Sequence, residues 1–289
     1  MILVAGGTGA LGHELIPRLT AAGRPVRVLA RDGGHAAGLE VDVALGDVRD
    51  PVALRRATSG CDTVISAMHG FVGGRGAGPE AVDDRGNANL VAAASEADVQ
   101  QFVLLSVLDA RPDHPMSLHR AKYAAEQHVA GSGLRWTALR PGAYIELWSG
   151  ITGAKVGSGG PALVFGRGAN PINFVSVHDV AAAVHHAIDD PSLHGRTVDV
   201  AGPDNLTMTE FAAALGARKV NHIPRPMLRV LSVAARPIQP AFARQAVAAV
   251  AMDTIGMSAD PAATRACFPD IGWRSVADVI AEGRPQQPS

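Results

Sequence analysis

The chain contains 289 residues, of which 47% are hydrophobic, and its 26 basic side chains nearly balance its 27 acidic ones. This composition is typical of a globular protein and excludes both wholesale disorder and a strongly basic nucleic-acid binder. Cys61 and Cys267 fit neither a disulfide framework nor a zinc-site spacing, so we predict a cytoplasmic protein without a metal site. No long apolar run is present, so we predict neither a secretory signal nor an integral membrane segment.

Short apolar runs alternate with segments of helical periodicity over residues 1–140. The predicted strands are 1–5, 26–30, 63–67, 102–106 and 135–139. The predicted helices between them are 12–22, 51–59, 81–97 and 117–130. Repeated strand–helix–strand units join parallel strands by crossovers, so we predict an α/β fold with a doubly wound parallel sheet.

The second half of the chain is less regular. Its predicted elements are a loop at 153–168, strands at 172–177 and 197–201, a helix at 179–188 and a helix opened by a capping box at 207–210. We predict a dinucleotide-binding domain over 1–150 that continues at 172–202. The segments 151–171 and 203–289 are predicted to form a smaller, mostly helical substrate or cap region.

One segment of this region, 217–252, carries six basic residues, four prolines and no acidic residue. It is predicted to form short helices that the prolines break at 224, 226, 237 and 240. Its many apolar side chains favour the wall of a substrate pocket, because the arginines are spread out rather than clustered. A surface that faces a membrane or a partner is the alternative.

Three glycines spaced three apart, Gly6, Gly9 and Gly12, lie between the first strand and the first helix. In a dinucleotide-binding turn the first glycine allows the tight turn, the second lets a diphosphate approach and the third lets helix and strand pack. The helix N-terminus then directs free N–H groups at the phosphates. The predicted cofactor contacts in this turn are Gly6, Thr8, Gly9, Ala10, Leu11 and Gly12.

The end of the second strand discriminates between the two dinucleotides. Arg31 stands at its tip, where an arginine accommodates the 2′-phosphate of NADP, while the adjacent Asp32 leaves NAD possible. Asp47 could accept a bond from the adenine amino group or cap the helix that starts near Pro51. The remaining contacts predicted in this half of the sheet are Val48, Ser66 and Ala67.

The ordered set of motifs resembles the atypical short-chain dehydrogenases, and among them the NmrA-like and isoflavone-reductase-like NAD(P)H-binding proteins. The segments that carry the resemblance are GGTGALG at 6–12, GD at 46–47, FVLLS at 102–106, WTALRPG at 136–142 and FVSVHDVA at 174–181. The resemblance implies a doubly wound domain with a smaller cap, an NAD(P)-linked function and a small-molecule substrate. It also places Pro141, Gly142 and Tyr144 near the nicotinamide.

Short-chain dehydrogenases use a Tyr-x-x-x-Lys pair, in which the lysine holds the nicotinamide ribose and lowers the pKa of the tyrosine. Lys122 stands at the matching place, but Leu118 occupies the position of the tyrosine, and Tyr123 points about 100° away on a helix. Lys122 is predicted to contact cofactor or substrate, with a surface pair to Glu126 as the alternative.

Four further side chains are catalytic candidates. Ser106, at a strand end, could bond a substrate carbonyl or local backbone. His119 and Tyr144 could donate a proton, as could His69, and Tyr144 could equally line a pocket. The glycine-rich segment 70–78, after the strand at 63–67, is either a lid over the site or a disordered loop.

The sequence therefore predicts an NAD(P)H-dependent reductase of a small, mostly apolar carbonyl, enone or quinone-like compound. One alternative is a non-catalytic NAD(P)-binding sensor or assembly factor with a protein partner, which the missing tyrosine favours. Another is epimerase or dehydratase chemistry on the same scaffold.

Overall fold

A computed structural model describes residues 1–33, 38 and 40–283. The strands are β1 Ile2–Ala5, β2 Val26–Ala30, β3 Asp42–Leu45, β4 Thr63–Ser66, β5 Gln101–Leu105, β6 Arg135–Pro141, β7 Ala143–Tyr144, β8 Ala162–Phe165, β9 Pro171–Val175, β10 Arg196–Val200, β11 Asp204–Thr207 and β12 Val220–Ile223. The helices are α1 Ala10–Ala21, α2 Pro51–Thr58, α3 Arg85–Glu96, α4 Ser117–Ala130, α5 Ile145–Gly153, α6 Val177–Asp189, α7 Met208–Ala214, α8 Arg225–Ala234, α9 Pro240–Met252, α10 Pro261–Cys267 and α11 Val276–Glu282. No helix in this described part of the chain combines the length and apolarity of a membrane-spanning segment.

A seven-stranded sheet with the order β10-β6-β5-β4-β1-β2-β3 forms the centre of the fold. The neighbouring strands from β3 to β6 run parallel, which confirms the predicted doubly wound α/β class. The strand order reverses between β1 and β4, where Ala5 lies opposite Ser66. In such sheets ligands bind outside the carboxyl ends of the strands at this switch point.

The chain divides into two compact units. The first comprises 1–140 and 180–198, whereas the predicted dinucleotide domain ran to 150 and resumed at 172–202. Its core lies between sheet and helices and includes Leu3, Val64 and Phe102, all fully buried. Strands β1, β4 and β5 are buried along their whole length because helices cover both faces of a parallel sheet.

The second unit comprises 141–179 and 199–289. Its core includes Ile145, Phe174 and Phe211, and the last two rings stack with centroids 4.4 Å apart. Two small sheets accompany its helices: β11-β9-β7 and β12-β8.

Two predictions for this unit were wrong in detail. The segment 153–168 is not all loop, because β8 lies within it and pairs with β12, and β12 itself falls in a segment predicted to be helical. Pro226 and Pro240 do not break helices; they lie in the first turns of α8 and α9, where a missing N–H costs nothing. Glycine and proline patterns marked the ends of these elements but did not show which strands would pair.

Candidate functional site

The glycine turn has the geometry that a dinucleotide requires. Gly6 has φ of +92°, and a Cβ there would lie 2.6 Å from the carbonyl carbon of Ala67, so only glycine fits between β1 and β4. A Cβ on Gly12 would lie 2.1 Å from the Gly7 oxygen, so the third glycine lets α1 pack closely on the turn. At Gly9 a Cβ would meet only the Gly6 oxygen, at 3.4 Å, and the space in front is open.

The N-terminus of α1 is available for an anion. Gly9 is its N-cap, no side chain caps the helix, and its first turn contains no acidic residue. Gly9 and Ala10 are exposed, so the first N–H groups of the helix face outward with the positive end of the helix dipole. This cradle fits a diphosphate.

The opposite side of the turn carries charged groups suited to an adenosine. Arg31 is exposed directly after β2, as predicted for a group that meets a 2′-phosphate. The Arg49 guanidinium donates to both oxygens of Asp47, at 2.8 and 2.6 Å, and holds the pKa of that carboxyl below its ordinary value. Asp47 does not cap α2; Asp50 does, by accepting from the N–H of Val52, so that alternative was wrong.

Val48 is held in place by α3. Asn89 donates to its carbonyl oxygen at 3.1 Å, and a Cβ on Gly86 would lie 2.8 Å from its side chain. Ser66, fully buried at the end of β4, donates to Asn87 at 2.6 Å. The backbone beside the cofactor cradle is thus fixed by polar side chains of α3.

Lys122 is buried and paired beneath the end of β4. Its ammonium donates to the carbonyl of Met68 at 2.8 Å and lies 3.0 Å from the carboxylate of Asp83, whose other oxygen accepts the Gly70 N–H at 2.7 Å. The alternative surface pair with Glu126 was wrong, because Glu126 is bonded elsewhere. One ammonium proton is donated to Met68 and the charge is paired with Asp83, so N–H capacity remains for a ligand.

A π-helical turn at Glu80–Asp84 precedes α3 and carries Asp83. Such turns are rare and frequently mark functional sites, because the inserted residue redirects neighbouring side chains. Here Asp83 is completely buried, and Asn87 one turn later is buried beside it. The wide turn places a carboxylate in the interior, where only a cation such as Lys122 can compensate it.

The segment 70–78 is anchored rather than loose. The Gly70 N–H is bonded to Asp83, and Arg49 donates to the Gly76 carbonyl at 3.0 Å. Two tight turns lie between these anchors, with Gly73 bonded to Gly70 and Ala77 to Gly74. The expectation of a disordered loop was wrong.

Ser106 belongs to a second buried network. Its hydroxyl donates to Glu126, and Arg140 donates to both carboxylate oxygens of Glu126, at 2.8 and 2.6 Å. Arg140 also donates to the Ala110 carbonyl at 3.1 Å. Since a hydroxyl has one proton, Ser106 in this arrangement can accept a hydrogen bond from a ligand but cannot donate one to a carbonyl.

His119 is buried next to His114, and the two rings stack at 4.0 Å. Burial lowers the pKa of His119 to about 3, and the neighbouring His114 and Arg111 act in the same direction. Neither ring nitrogen of His119 has a hydrogen-bond partner among the described residues. The ring is therefore neutral near pH 7 and carries no imidazolium proton to transfer. His69 keeps solvent exposure, but partial burial and the nearby Lys122 ammonium lower its pKa as well.

Tyr144, Pro141 and Gly142 belong to the second unit. Tyr144 forms β7 with Ala143, which pairs with β9, and burial raises the pKa of its phenol. A Cβ on Gly142 would lie 2.6 Å from the side-chain oxygen of Asn173, so the chain after Pro141 passes close to β9. A phenol with a raised pKa is a weak acid and stays protonated at neutral pH.

The sequence analysis did not predict the hydrogen-bond and ion-pair partners of the predicted site residues. They are Arg49, Asp83, Asn87, Glu126 and Arg140. A signal existed for one pair: Asp83 and Asn87 are four apart in an otherwise alanine-rich helical segment, so two polar side chains share one helix face.

Comparison with known proteins identifies the cofactor class. A family model described as NAD(P)H-binding matches residues 6–191. The chain belongs to this NAD(P)H-binding family. It is 33% identical over 220 residues to an NAD(P)H azoreductase of Xenophilus azovorans, an alignment that covers 75% of this chain and 73% of that protein. It is 35% identical over 222 residues to a (4-alkanoyl-5-oxo-2,5-dihydrofuran-3-yl)methyl phosphate reductase of Streptomyces griseus, with 74% and 72% covered.

The fold of this family member is also found among solved structures. The NADPH complex of an NADPH-dependent quinone oxidoreductase from Escherichia coli superimposes with a TM-score of 0.79 at 23% identity, and the match covers 98% of this chain and 99% of that one. The predicted resemblance to atypical short-chain dehydrogenases and the predicted NAD(P) cofactor are both confirmed.

Proposed function

We propose that the protein is an NAD(P)H-dependent reductase of a small, mostly apolar acceptor, and that among carbonyl, enone and quinone-like compounds it acts on enones and quinones. Two reductases among its relatives support this class, since each is more than 30% identical over about three quarters of the chain. The substrate within the class is argued from the chemistry of Lys122 and of the candidate proton donors.

The observation that carries the proposal is a buried ammonium without an adjacent phenol. Lys122 is fixed by Met68 and Asp83, while Leu118 stands where a tyrosine would protonate an alkoxide. His119 is neutral and buried, and the pKa of Tyr144 is raised. The pKa of His69 is lowered from 6.5 by desolvation and by the Lys122 ammonium, so this ring too is mostly neutral at pH 7. None of these candidates is a strong acid, so an acceptor that needs no acid is favoured.

Quinones and enones meet that requirement. Hydride addition to a simple ketone creates a localised alkoxide, which needs a proton donor at once. Addition to a quinone or an enone creates an anion delocalised over several atoms, which water can protonate later. The overall change is then acceptor, NADPH and one proton to reduced acceptor and NADP.

Each residue has a separate role in the proposed reaction. The bound reduced nicotinamide supplies the hydride. The N-terminus of α1 holds the diphosphate, and Arg31 selects the 2′-phosphate. Lys122 orients the nicotinamide ribose with its remaining N–H capacity. Ser106 accepts a hydrogen bond from a ligand N–H or O–H.

The test is anaerobic NADPH consumption with a panel that contains a simple ketone, a cyclic enone and a benzoquinone. We expect turnover with the enone and the quinone and little with the ketone. Lys122→Met should lower kcat/KM by roughly tenfold to a few hundredfold through lost positioning. Lys155→Met, at an exposed position, is the matched control and should retain activity.

Two outcomes would contradict the proposal. Efficient reduction of the simple ketone would mean that an acid is present. Tight NADPH binding without consumption of any acceptor would support the alternative of a non-catalytic sensor with a protein partner, which Leu118 in place of tyrosine also favours.

A further inference from the structure

The outward side of α8 is apolar. Val230 and Val233 are 65% and 68% exposed, and Ile238, in the turn after the helix, is 80% exposed. Met227 and Phe242 are also exposed. These five residues, which we call the α8 face, are not the pocket wall that the sequence favoured, because their side chains face solvent.

The pattern of α8 explains this orientation. Leu228 is buried and anchors the helix to its own unit. Met227 and Val230, three apart, and Val230 and Val233, again three apart, lie along the opposite side. A surface helix normally exposes polar side chains on this side, so exposed apolar side chains here indicate an interaction surface rather than a part of the core.

Exposed basic residues lie beside the α8 face. They are Arg229 and Arg236. The segment 217–252 contains six basic residues and no aspartate or glutamate, and of the six Arg225 is paired with the buried Asp253 that follows the segment. The chain as a whole is nearly balanced, with 26 basic and 27 acidic residues. The local excess of positive charge is therefore a property of this surface.

We propose that the α8 face docks on an anionic lipid surface. An interfacial helix buries aliphatic and aromatic side chains at the acyl boundary while arginines pair with anionic headgroups. A second copy of the chain fits the surface less well than an anionic one, because a two-fold contact would bring together two surfaces that carry the same excess of positive charge. The proposal does not depend on the reaction proposed above.

The test is flotation of the full-length protein with vesicles at low salt. We expect binding to equimolar phosphatidylglycerol and phosphatidylcholine, little binding to phosphatidylcholine alone, and release at high salt. Val230→Glu with Val233→Glu should abolish binding. The matched control is Val52→Glu with Val72→Glu, since these valines are 54% and 59% exposed in the first unit and should leave binding unchanged.

The electrostatic part has its own pair of variants. Arg229→Glu with Arg236→Glu should weaken partitioning onto the anionic vesicles by more than about tenfold, because each basic residue near such a surface contributes about a factor of five. Arg55→Glu with Arg56→Glu, on exposed α2 positions, is the control. Circular dichroism of every variant verifies that the fold is retained.

Three results would overturn the proposal. They are no flotation with anionic vesicles, equal flotation with neutral ones, and equal loss in the Val52→Glu, Val72→Glu control. Light scattering in the absence of lipid measures whether the protein forms a dimer, which tests whether a second copy covers the α8 face instead. A dimer that Val230→Glu with Val233→Glu dissociates would mean that a second copy covers the α8 face.

Discussion

Replacement of Lys122 by methionine separates its structural role from its role toward the cofactor. The change removes the ammonium that compensates Asp83 and bonds the Met68 carbonyl. A methionine is close in volume to the apolar stem of lysine, so no large cavity is added. The effect on unfolding is therefore mainly that of leaving a buried carboxylate without a cation.

The magnitude follows from the burial of the pair. Asp83 is fully buried and would retain one partner, the Gly70 N–H at 2.7 Å. Removal of one member of a buried pair typically costs about 3–5 kcal/mol of unfolding free energy. In Lys122→Met with Asp83→Asn the amide oxygen can still accept from Gly70 and no charge is stranded, so the double variant should lie within about 1–2 kcal/mol of the natural protein.

Urea denaturation followed by circular dichroism measures these differences, and NADPH titration of the folded variants measures the other role. We expect the double variant to recover most of the stability lost by Lys122→Met but to bind NADPH as weakly as the single variant. Lys155→Met is the control for both measurements. A double variant no more stable than Lys122→Met, or one that binds NADPH normally, would refute the reasoning.

Other positions give equally direct tests. Arg31→Ala should weaken NADPH binding by roughly 1.5–3 kcal/mol more than NADH binding, because a charge-assisted bond to the 2′-phosphate is lost. Calorimetric titration of both cofactors measures this difference, with Arg56→Ala as the control. Equal losses for the two cofactors would exclude a 2′-phosphate contact. Gly9→Val should fold but fail to bind NADPH. Gly12→Val should fail to fold, because its Cβ would lie 2.1 Å from the Gly7 oxygen. Dinucleotide binding by the folded Gly9→Val protein would contradict the role given to Gly9. Burial lowers the pKa of His119 from 6.5 to about 3, so between these pH values the unfolded chain binds a proton that the folded chain does not. The free energy of unfolding should therefore fall by up to about 4–5 kcal/mol as the pH drops from 6.5 to 3. Urea midpoints across this range should fall less steeply for His119→Phe, and identical slopes would show that other groups control acid unfolding.

The sequence predicted the structure of the glycine turn well because its causes are local. Gly6 and Gly12 are set by a positive φ and a close backbone contact within a few residues, and the strand before them and the helix after them follow from short-range patterns. Parallel topology follows in the same way, since crossovers leave few alternatives. The position of Lys122 on α4 was predicted correctly for this reason too.

The partners could not be predicted in this way. Asp83 lies far from Lys122 in sequence, and nothing in a periodic pattern shows that a π-helical turn will direct its carboxylate inward. Glu126 looked like a surface partner of Lys122 because they are four apart, but Arg140 lies nearer in the fold and offers two parallel bonds. Strands β8 and β12 were missed because their pairing is long-range.

The two anchors of the glycine-rich segment 70–78 have a consequence for how this protein family can diversify. Bonds at Gly70 and Gly76 fix its start and its far side, and a Cβ on Gly73 would strike the Ala77 oxygen at 1.8 Å. Among the described residues, none lies close enough to Gly74 for a Cβ there to touch it. Lengthening a loop costs little closure entropy, so we expect an insertion next to Gly74 to cost mainly the Ala77–Gly74 hydrogen bond while the two anchors are kept. New side chains can therefore be added there without moving Lys122.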